Sequence, residues 1–209
     1  METLRRQLRE KFPQAHGVRP DVGVAGVAGL AVTVASFPLG AVAEVVAAGA
    51  GAGVLLVVAG LLGEADEVDE VSAHPQVVLV DGADRFDPAS FSGTACSRLL
   101  WVRCQSAGDM LKAADWLVRD GNVPTILLDA TGLARRDLTA LPASGWWRLK
   151  QGAASSGCRL VVLAPFPLVV SASLRLVLSA GLTLGDFDCG RDELRQRLRP
   201  VAHQLRHAT

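Results

Sequence analysis

Short apolar runs alternate with longer segments of helical periodicity along most of this chain. The apolar runs lie at 42–47, 77–80, 97–104, Thr125–Asp129 and Arg159–Ala164, and such runs are typical of strands that are buried on both faces. Helical spacing between them predicts helices from about Val54, over Ala107–Asp120 and over 142–156. Alternating strands and helices predict an α/β fold, in which helices flank a mostly parallel sheet.

The pattern changes towards the two ends. Residues 171–179 alternate between apolar and polar positions, a second such run follows at 181–187, and Gly181 lies between them. This pattern predicts an antiparallel pair at the edge of the sheet. Residues 2–12 predict an amphipathic helix, and 192–207 predict a basic helix that is interrupted at Pro200. We therefore divide the chain into an N-terminal helix and linker (1–20), a core domain (21–188) and a basic C-terminal helix (189–209).

A glycine-rich loop joins the first predicted strand to the following helix. Its glycines are Gly49, Gly51 and Gly53, and a strand, a glycine-rich loop and a helix in this order form the topology of a phosphate-binding loop. A working loop of this kind also needs a Lys for the phosphates and a hydroxyl for Mg²⁺. Those two positions fall near Gly53 and Val54, and no Lys occurs between Lys11 and Lys112. The sequence predicts a degenerate loop with no nucleotide chemistry.

Composition excludes several classes of protein. The 209 residues have a formal net charge of zero and are 50% hydrophobic, which excludes a disordered or globally basic chain. The four cysteines lack C-x-x-C spacing, so we expect free thiols in a reducing, cytoplasmic compartment and no zinc site. The uncharged windows 22–43 and 45–63 are long enough to span a membrane, but glycines and Pro38 interrupt them. A buried core explains them better, and the N-terminus is too charged for a signal peptide.

Several segments carry a resemblance to a known family. They are Phe37-Pro-Leu-Gly-Ala-Val-Ala-Glu-Val45, Val80-Asp-Gly-Ala-Asp-Arg-Phe-Asp-Pro88, Leu99-Leu-Trp-Val-Arg103, Thr125-Ile-Leu-Leu-Asp129 and Ser173-Leu-Arg-Leu176. In order and spacing they resemble the RecA-like recombinase core over about residues 25–187, with Asp129 at the Walker-B-like position. A RecA-like domain of this size with a degenerate Walker A loop resembles the ImuA branch, the accessory proteins of bacterial translesion synthesis and mutagenesis.

The resemblance implies a role in DNA repair after DNA damage, within the SOS response. It implies protein-protein interaction with an ImuB-type polymerase-like protein and, through it, with an error-prone replicative-type polymerase. A RecA filament or DNA is a further candidate partner. The position of the family's catalytic Glu is taken by Ala83, so only Asp129 remains. We therefore expect no enzyme activity, no cofactor and no metal.

Two other functions stay open at this stage. One is an NTPase with a rearranged site, in which Asp129 works with a Lys or Arg from a neighbouring chain. The other is an inhibitor of cell division that is similar to SulA, whose family shares a RecA-like core. Asp129 itself is either a metal ligand or, as we favour, a strand-end residue that caps the next turn.

Surface chemistry is concentrated in the tail. The candidates for contact with a partner or DNA are Arg191, Arg195, Leu198, Arg199, Leu205 and Arg206, with a solvated helix face as the alternative. The acidic run at 64–70 is interpreted as a solvated loop or as the acceptor of a neighbour's basic helix in a homo-oligomer. Asp81, Asp84 and Asp87 are expected to shape a turn, and one of Trp146 and Trp147 is expected in the core. His203 and His207 are spaced as a metal pair only if the tail is helical.

Overall fold

Seven strands form one sheet in the computed structural model, which describes residues 32–47, 49, 52–63, 77–178, 182–198 and 200–204. The strands are β1 (Ala41–Ala47), β2 (Val77–Asp81), β3 (Leu99–Arg103), β4 (Thr125–Asp129), β5 (Arg159–Ala164), β6 (Leu174–Leu178) and β7 (Pro200–Gln204). The α-helices are α1 (Val54–Leu62), α2 (Gly93–Ser97), α3 (Ala107–Asp120), α4 (Arg135–Thr139), α5 (Ala143–Ser156) and α6 (Arg191–Arg197). Short 3₁₀ helices lie at Val34–Ser36, Pro88–Ser90 and Leu184–Asp188.

The strand order is β3-β2-β4-β5-β1-β6-β7. Every neighbouring pair is parallel except β6 and β7, which are antiparallel. The predicted α/β fold with a mostly parallel sheet and an antiparallel edge is therefore confirmed. The sheet is buried on both faces because its central strands are mainly apolar, as in β4, where the neighbouring residues Ile126 and Leu127 pack into different cores.

Helices cover the two faces of the sheet. One core lies beneath α1 and α6 and includes Leu61, Leu127 and Leu194. The other lies beneath α3 and α5 and includes Met110, Ile126 and Leu149. Trp146 belongs to this second core at 6% exposure, whereas Trp147 is 55% exposed. The expectation that one of these neighbouring tryptophans is buried is confirmed.

The bounds of α3 follow from its capping residues. Ser106 precedes the helix, and its Oγ accepts a hydrogen bond of 3.1 Å from the backbone N–H of Asp109. Gly121 ends the helix in the left-handed region, with φ +71°, a conformation that glycine adopts without steric cost. The predicted bounds Ala107–Asp120 are confirmed.

Strand β3 is shorter than predicted. The 97–104 run was expected to be one strand, but the first part of it lies in α2 and in the turn after that helix. Ser92 caps α2, because its Oγ accepts a hydrogen bond of 3.1 Å from the N–H of Ala95. A local capping residue therefore favours a helical turn over a longer strand.

The predicted pairing at the end of the core is wrong. β6 pairs in parallel with β1, and the second run forms the 3₁₀ helix Leu184–Asp188 instead of a strand. Both Thr183 N and Thr183 Oγ1 donate to Asp186 Oδ2, each at 2.7 Å. These local hydrogen bonds stabilise a helical turn where the sequence alternation suggested a strand.

The predicted basic helix of the tail is also corrected. It ends at Arg197, and residues Pro200–Gln204 form β7, the antiparallel edge strand of the core sheet. Proline is compatible with the first position of an edge strand because it need not donate to the ladder there. His203 therefore lies on a strand, where helical spacing to His207 does not apply. The segments 2–12, 64–70 and His207 lie outside the described residues.

A buried ion pair joins β1 to β6. Glu44 is fully buried, and its Oε2 accepts a hydrogen bond of 2.6 Å from Arg175 Nε. Its Oε1 accepts from the backbone N–H groups of Leu168 and Val169 at 2.6 and 2.9 Å. Arg175 also donates to the carbonyl oxygen of Val169 at 3.2 Å. The pair therefore holds together β1, β6 and the connection that leads from β5 to β6.

Replacement of Glu44 is expected to destabilise the protein strongly. Glu44→Ala leaves a buried guanidinium and two buried N–H groups without their acceptor, which costs about 3–5 kcal/mol. Urea unfolding measures the loss. The control is Lys112→Ala, which removes an exposed ion pair at 3.5 Å to Asp109 and should have a far smaller effect. Equal losses in the two variants would contradict this role of Glu44.

Candidate functional site

The loop after β1 is the first part of the candidate site. Gly49 is exposed and Gly53 is buried, while Gly51 lies outside the described residues. Gly53 directly precedes α1 and has φ +84°, in the left-handed region. A Cβ atom placed on Gly53 would lie 2.6 Å from Leu198 Cδ2. A side chain from the tail therefore lies where the loop lysine of a working phosphate site would begin.

The carboxyl ends of β2 and β4 contribute two acids. Asp81 and Asp129 end these neighbouring strands in register, and the N–H of Gly82 donates to the Asp129 carbonyl at 3.0 Å. Ligands bind at such strand ends in open α/β sheets. β5 separates β4 from β1, so the backbones of β1 and β4 lie about 10 Å apart at two strand spacings. This separation is compatible with one ligand that spans the loop and Asp129.

Both carboxylates already accept hydrogen bonds from groups of the chain itself. Asp81 is 1% exposed and accepts from Phe86 N at 2.8 Å, Trp101 Nε1 at 3.3 Å and Ala83 N at 3.3 Å. Asp129 Oδ1 accepts from Thr131 N at 2.9 Å and from Thr131 Oγ1 at 2.6 Å. The interpretation of Asp129 as the residue that caps the next turn is therefore confirmed.

The other two acids of the β2 loop also have structural roles. Asp87 Oδ1 accepts from Ala89 N at 3.0 Å and begins the 3₁₀ helix Pro88–Ser90. Asp84 adopts φ +54° and forms a two-pronged ion pair with Arg103, at 2.6 and 2.7 Å. The hydrogen bond from Arg103 holds the pKa of Asp84 below its ordinary value. The predicted turn-shaping role is confirmed for Asp87.

The loops that follow β2 and β4 are in close contact. A Cβ atom on Gly132 would lie 2.5 Å from Arg85 Cδ and 2.6 Å from Ala83 Cβ. A Cβ atom on Gly82 would lie 2.8 Å from the carbonyl oxygen of Asp129. Only glycine fits these two positions without displacement of the neighbouring loop. The two loops therefore fill the space beside Asp129 with atoms of the chain itself.

The tail residues that the sequence suggested for partner contact have different environments. Arg191 is exposed, donates to the carbonyl oxygen of Ser90 and lies 5.2 Å from the ring centroid of Phe91. Arg195 and Leu198 are only 5% and 3% exposed, so they belong to the packing of the tail against α1 and not to an accessible surface. Arg199, Leu205 and Arg206 lie outside the described residues.

Other expectations concern metals, thiols and membranes. Within the described ranges, no group of three or more His, Cys, Asp or Glu side chains is arranged to hold a metal ion. Cys96, Cys104, Cys158 and Cys189 are free thiols, as the spacing predicted. Burial raises the pKa of Cys104 and Cys158, which keeps these thiols protonated. None of the helices that the structure describes is long and apolar enough to cross a membrane.

Burial raises the pKa of Asp129 above its ordinary value; the hydrogen bonds from Thr131 oppose this rise, and the charge of Asp81 adds to it. An acid whose pKa is raised in the folded state lowers stability as the pH increases from its unfolded pKa, about 3.9, through its folded pKa. Asp129→Asn keeps an acceptor for Thr131 and is expected to be more stable than the wild type at neutral pH. The difference should vanish at low pH.

Denaturant unfolding across the pH range measures this difference. Asp109→Asn is the control of opposite sign, because the hydrogen bond from Ser106 lowers the pKa of Asp109. Its carboxylate stabilises the fold above its unfolded pKa, so this variant is expected to lose stability at neutral pH. The same sign of effect in both variants would contradict the assignment for Asp129.

Comparison with known proteins does not identify the chain. No protein-family model matches the sequence, and no curated protein is significantly similar to it. Function is therefore inferred from the geometry of the described residues, above all from the contact of Leu198 with Gly53 at the start of α1 and from the hydrogen bonds that Asp129 accepts.

Proposed function

We propose that this chain is a non-catalytic, RecA-like accessory subunit of a bacterial mutagenic translesion synthesis complex, induced by DNA damage. In this proposal it acts in the cytoplasm through protein-protein contacts. Its partner is an ImuB-type polymerase-like protein and, through that protein, an error-prone replicative-type polymerase. Two observations support this proposal. The motifs of the sequence follow a RecA-like order, and the site lacks the groups for phosphoryl transfer.

The contact of Leu198 with Gly53 is the observation that carries the proposal. Phosphoryl transfer needs cationic groups and Mg²⁺ ligands around the transferred phosphate. Gly53 and Val54 stand where the loop lysine and hydroxyl would be, and Leu198 packs against Gly53 at the start of α1. An apolar side chain at this point neither neutralises phosphate charge nor binds a metal. In this proposal, the interaction subunit keeps the scaffold of an ATPase, but its loop does not bind nucleotide.

The state of Asp129 supports the same conclusion. Its Oδ1 accepts two hydrogen bonds from Thr131, and a metal ion at that oxygen would have to displace them. Burial also favours its protonated form, whereas a Mg²⁺ ligand must be ionised. A single acid in this state does not supply the metal site of an NTPase.

The outer surface of α3 and α5 offers a contact region for a protein partner. A Cβ on Gly145 would lie 2.5 Å from Leu111 Cδ2, and a Cβ on Gly152 would lie 2.5 Å from Val118 Cγ1. These contacts show that the two helices run side by side in the same direction. Trp116 on α3 and Trp147 on α5 are both exposed, at 76% and 55%. We name these two residues the tryptophan pair.

Exposed tryptophans are frequent energetic centres of protein interfaces. Around the tryptophan pair, Lys150 Nζ lies 5.4 Å from the ring centroid of Trp147. Arg119 and Arg148 both approach the carboxylate of Asp115, whose side chain is largely buried, at 2.5 and 3.7 Å. The region thus combines two large aromatic surfaces with a polar, mainly basic rim, which is the composition that a specific interface requires.

The absence of a nucleotide site is tested by thermal unfolding with Mg-ATP and by release of phosphate. A site that is occupied at a hundredfold its Kd would add about 2.7 kcal/mol of stability. We expect no magnesium-dependent shift and no hydrolysis. A magnesium-dependent shift that Asp129→Asn abolishes would overturn the non-catalytic assignment and favour an NTPase with a rearranged site.

The partner is tested by co-purification and by titration with the ImuB-type protein. Trp116→Ala together with Trp147→Ala should weaken binding at least about tenfold, equivalent to 1.4 kcal/mol. Leu184→Ala is the control, because Leu184 is 88% exposed and lies on a different element. Undiminished binding by the double variant would reject the tryptophan pair as the contact region. Binding to the division protein FtsZ instead of polymerase components would favour an inhibitor that is similar to SulA.

A further inference from the structure

A cavity of about 420 Å³ lies at the opposite end of the sheet from Asp129. Its floor contains the first residues of three neighbouring strands, because Val77, Thr125 and Arg159 form one row in register across β2, β4 and β5. Arg98 also lines the cavity, and it directly precedes Leu99, the residue of β3 that is in register with Val77. The walls include the last turn of α1 and the segment 33–35. The volume is within the range of small-molecule sites, about 300–1,000 Å³.

The side chains of the row face α1. Residues alternate between the two faces of a strand, and Ile126 and Leu160 belong to the core on the far side of the sheet. Thr125 and Arg159 therefore point towards α1 and the cavity. Val77 belongs to the core beneath α1, which agrees with this orientation.

The close approach of segment 33–35 to α1 depends on a glycine. A Cβ atom on Gly60 would lie only 2.1 Å from the carbonyl oxygen of Val32. Glycine within a helix costs about 0.5–1 kcal/mol relative to alanine. Gly60 thus allows the backbone to cross the helix, and the crossing closes one side of the cavity.

Two cations and no acid are among the described residues that line the cavity. These charged lining residues are Arg98 and Arg159. Arg98 Nε is buried and has no hydrogen-bond partner among the described residues, and Arg159 Nε donates to the carbonyl oxygen of Phe37 at 3.0 Å. Neither guanidinium forms an ion pair within the part of the chain that the structure describes. Burial of a charged donor without an acceptor is unfavourable, and an anionic ligand would remove that cost.

One opposing contribution comes from α1. Its C-terminal turn lies at the cavity, and a helix C-terminus carries a partial negative charge of about half a unit. The two guanidinium groups together carry a larger charge of the opposite sign. Among the described lining residues, the balance of charge therefore favours an anion.

The spacing of the arginines indicates the size of the ligand. The backbones of β3 and β5 are separated by three strand spacings, about 14 Å. The two long side chains approach the cavity from its two sides, and a guanidinium binds phosphate oxygens through a planar fork of N–H donors. A ligand with two linked phosphate groups offers oxygen acceptors to both forks at once.

We propose that the cavity at the amino ends of β2, β4 and β5 binds a small anion of the pyrophosphate class, held by Arg98 and Arg159 and by the hydroxyl of Thr125. This site is separate from the degenerate loop after β1, which lies at the carboxyl ends of the strands. It does not depend on the proposed accessory function.

Isothermal titration with pyrophosphate, without magnesium, tests the site. The wild type is expected to bind, and Arg98→Gln should bind at least about tenfold more weakly. Arg98→Lys keeps the charge but loses the fork, so its affinity should lie between the two. Arg136→Gln is the control, since the side chain of Arg136 is 88% exposed on α4. Arg98 caps α2 through its backbone and not through its side chain. We therefore expect the Arg98 variants to fold, and circular dichroism measures whether they do.

Three outcomes would overturn the proposal. They are no binding by the wild type at millimolar pyrophosphate, equal weakening by Arg98→Gln and Arg136→Gln, and tighter binding of citrate than of pyrophosphate. Titration with inorganic phosphate tests whether the site holds two linked phosphate groups. If it does, inorganic phosphate should bind more weakly than pyrophosphate. Asp129→Asn should leave pyrophosphate binding unchanged, so a failure here is distinct from a failure of the accessory-subunit proposal.

Discussion

The buried ion pair between Glu44 and Arg175 is the interaction on which the arrangement of the C-terminal half depends. A fully buried carboxylate is tolerated only when every acceptor position finds a donor. Here the donors are Arg175 and two backbone N–H groups of the connection from β5. Because side chains alternate along a strand, a shift of β6 by one residue would turn Arg175 to the other face of the sheet. The ion pair therefore fixes β6 beside β1 in a single register.

The position of β6 determines which side chain packs against the start of α1. β6 provides the antiparallel partner of β7, and the segment between them contains α6 and Leu198. Once β7 is paired, the chain before it crosses α1, and Leu198 comes to lie against Gly53. The glycine-rich loop after β1 therefore receives an apolar contact from a distant part of the chain. The buried charge in β1 and this contact are linked through the path of the tail.

The two ends of the sheet differ in how their charges are satisfied. At the carboxyl ends, Asp81 and Asp129 accept hydrogen bonds from neighbouring N–H and hydroxyl groups, and the adjoining loops pack together through Gly82 and Gly132. At the amino ends, Arg98 and Arg159 line an open cavity whose described lining residues include no carboxylate. Ligand chemistry in α/β sheets is usually found at the carboxyl ends. Within the described residues, these two arginines at the amino ends form no ion pair.

The sequence by itself determined the elements whose signals are local. Thr125–Asp129 and Arg159–Ala164 are continuous apolar runs, and α3 has both a serine cap and a terminal glycine, so their bounds were predictable. The absence of a Lys and a hydroxyl at Gly53 and Val54 is likewise read directly from the sequence. Only the tertiary structure decided that Pro200–Gln204 is a strand, that Arg195 and Leu198 are buried, and that Glu44 meets Arg175. These outcomes depend on partners far away in the chain, and the pattern of neighbouring residues carries no information about which distant strand or helix will cover them.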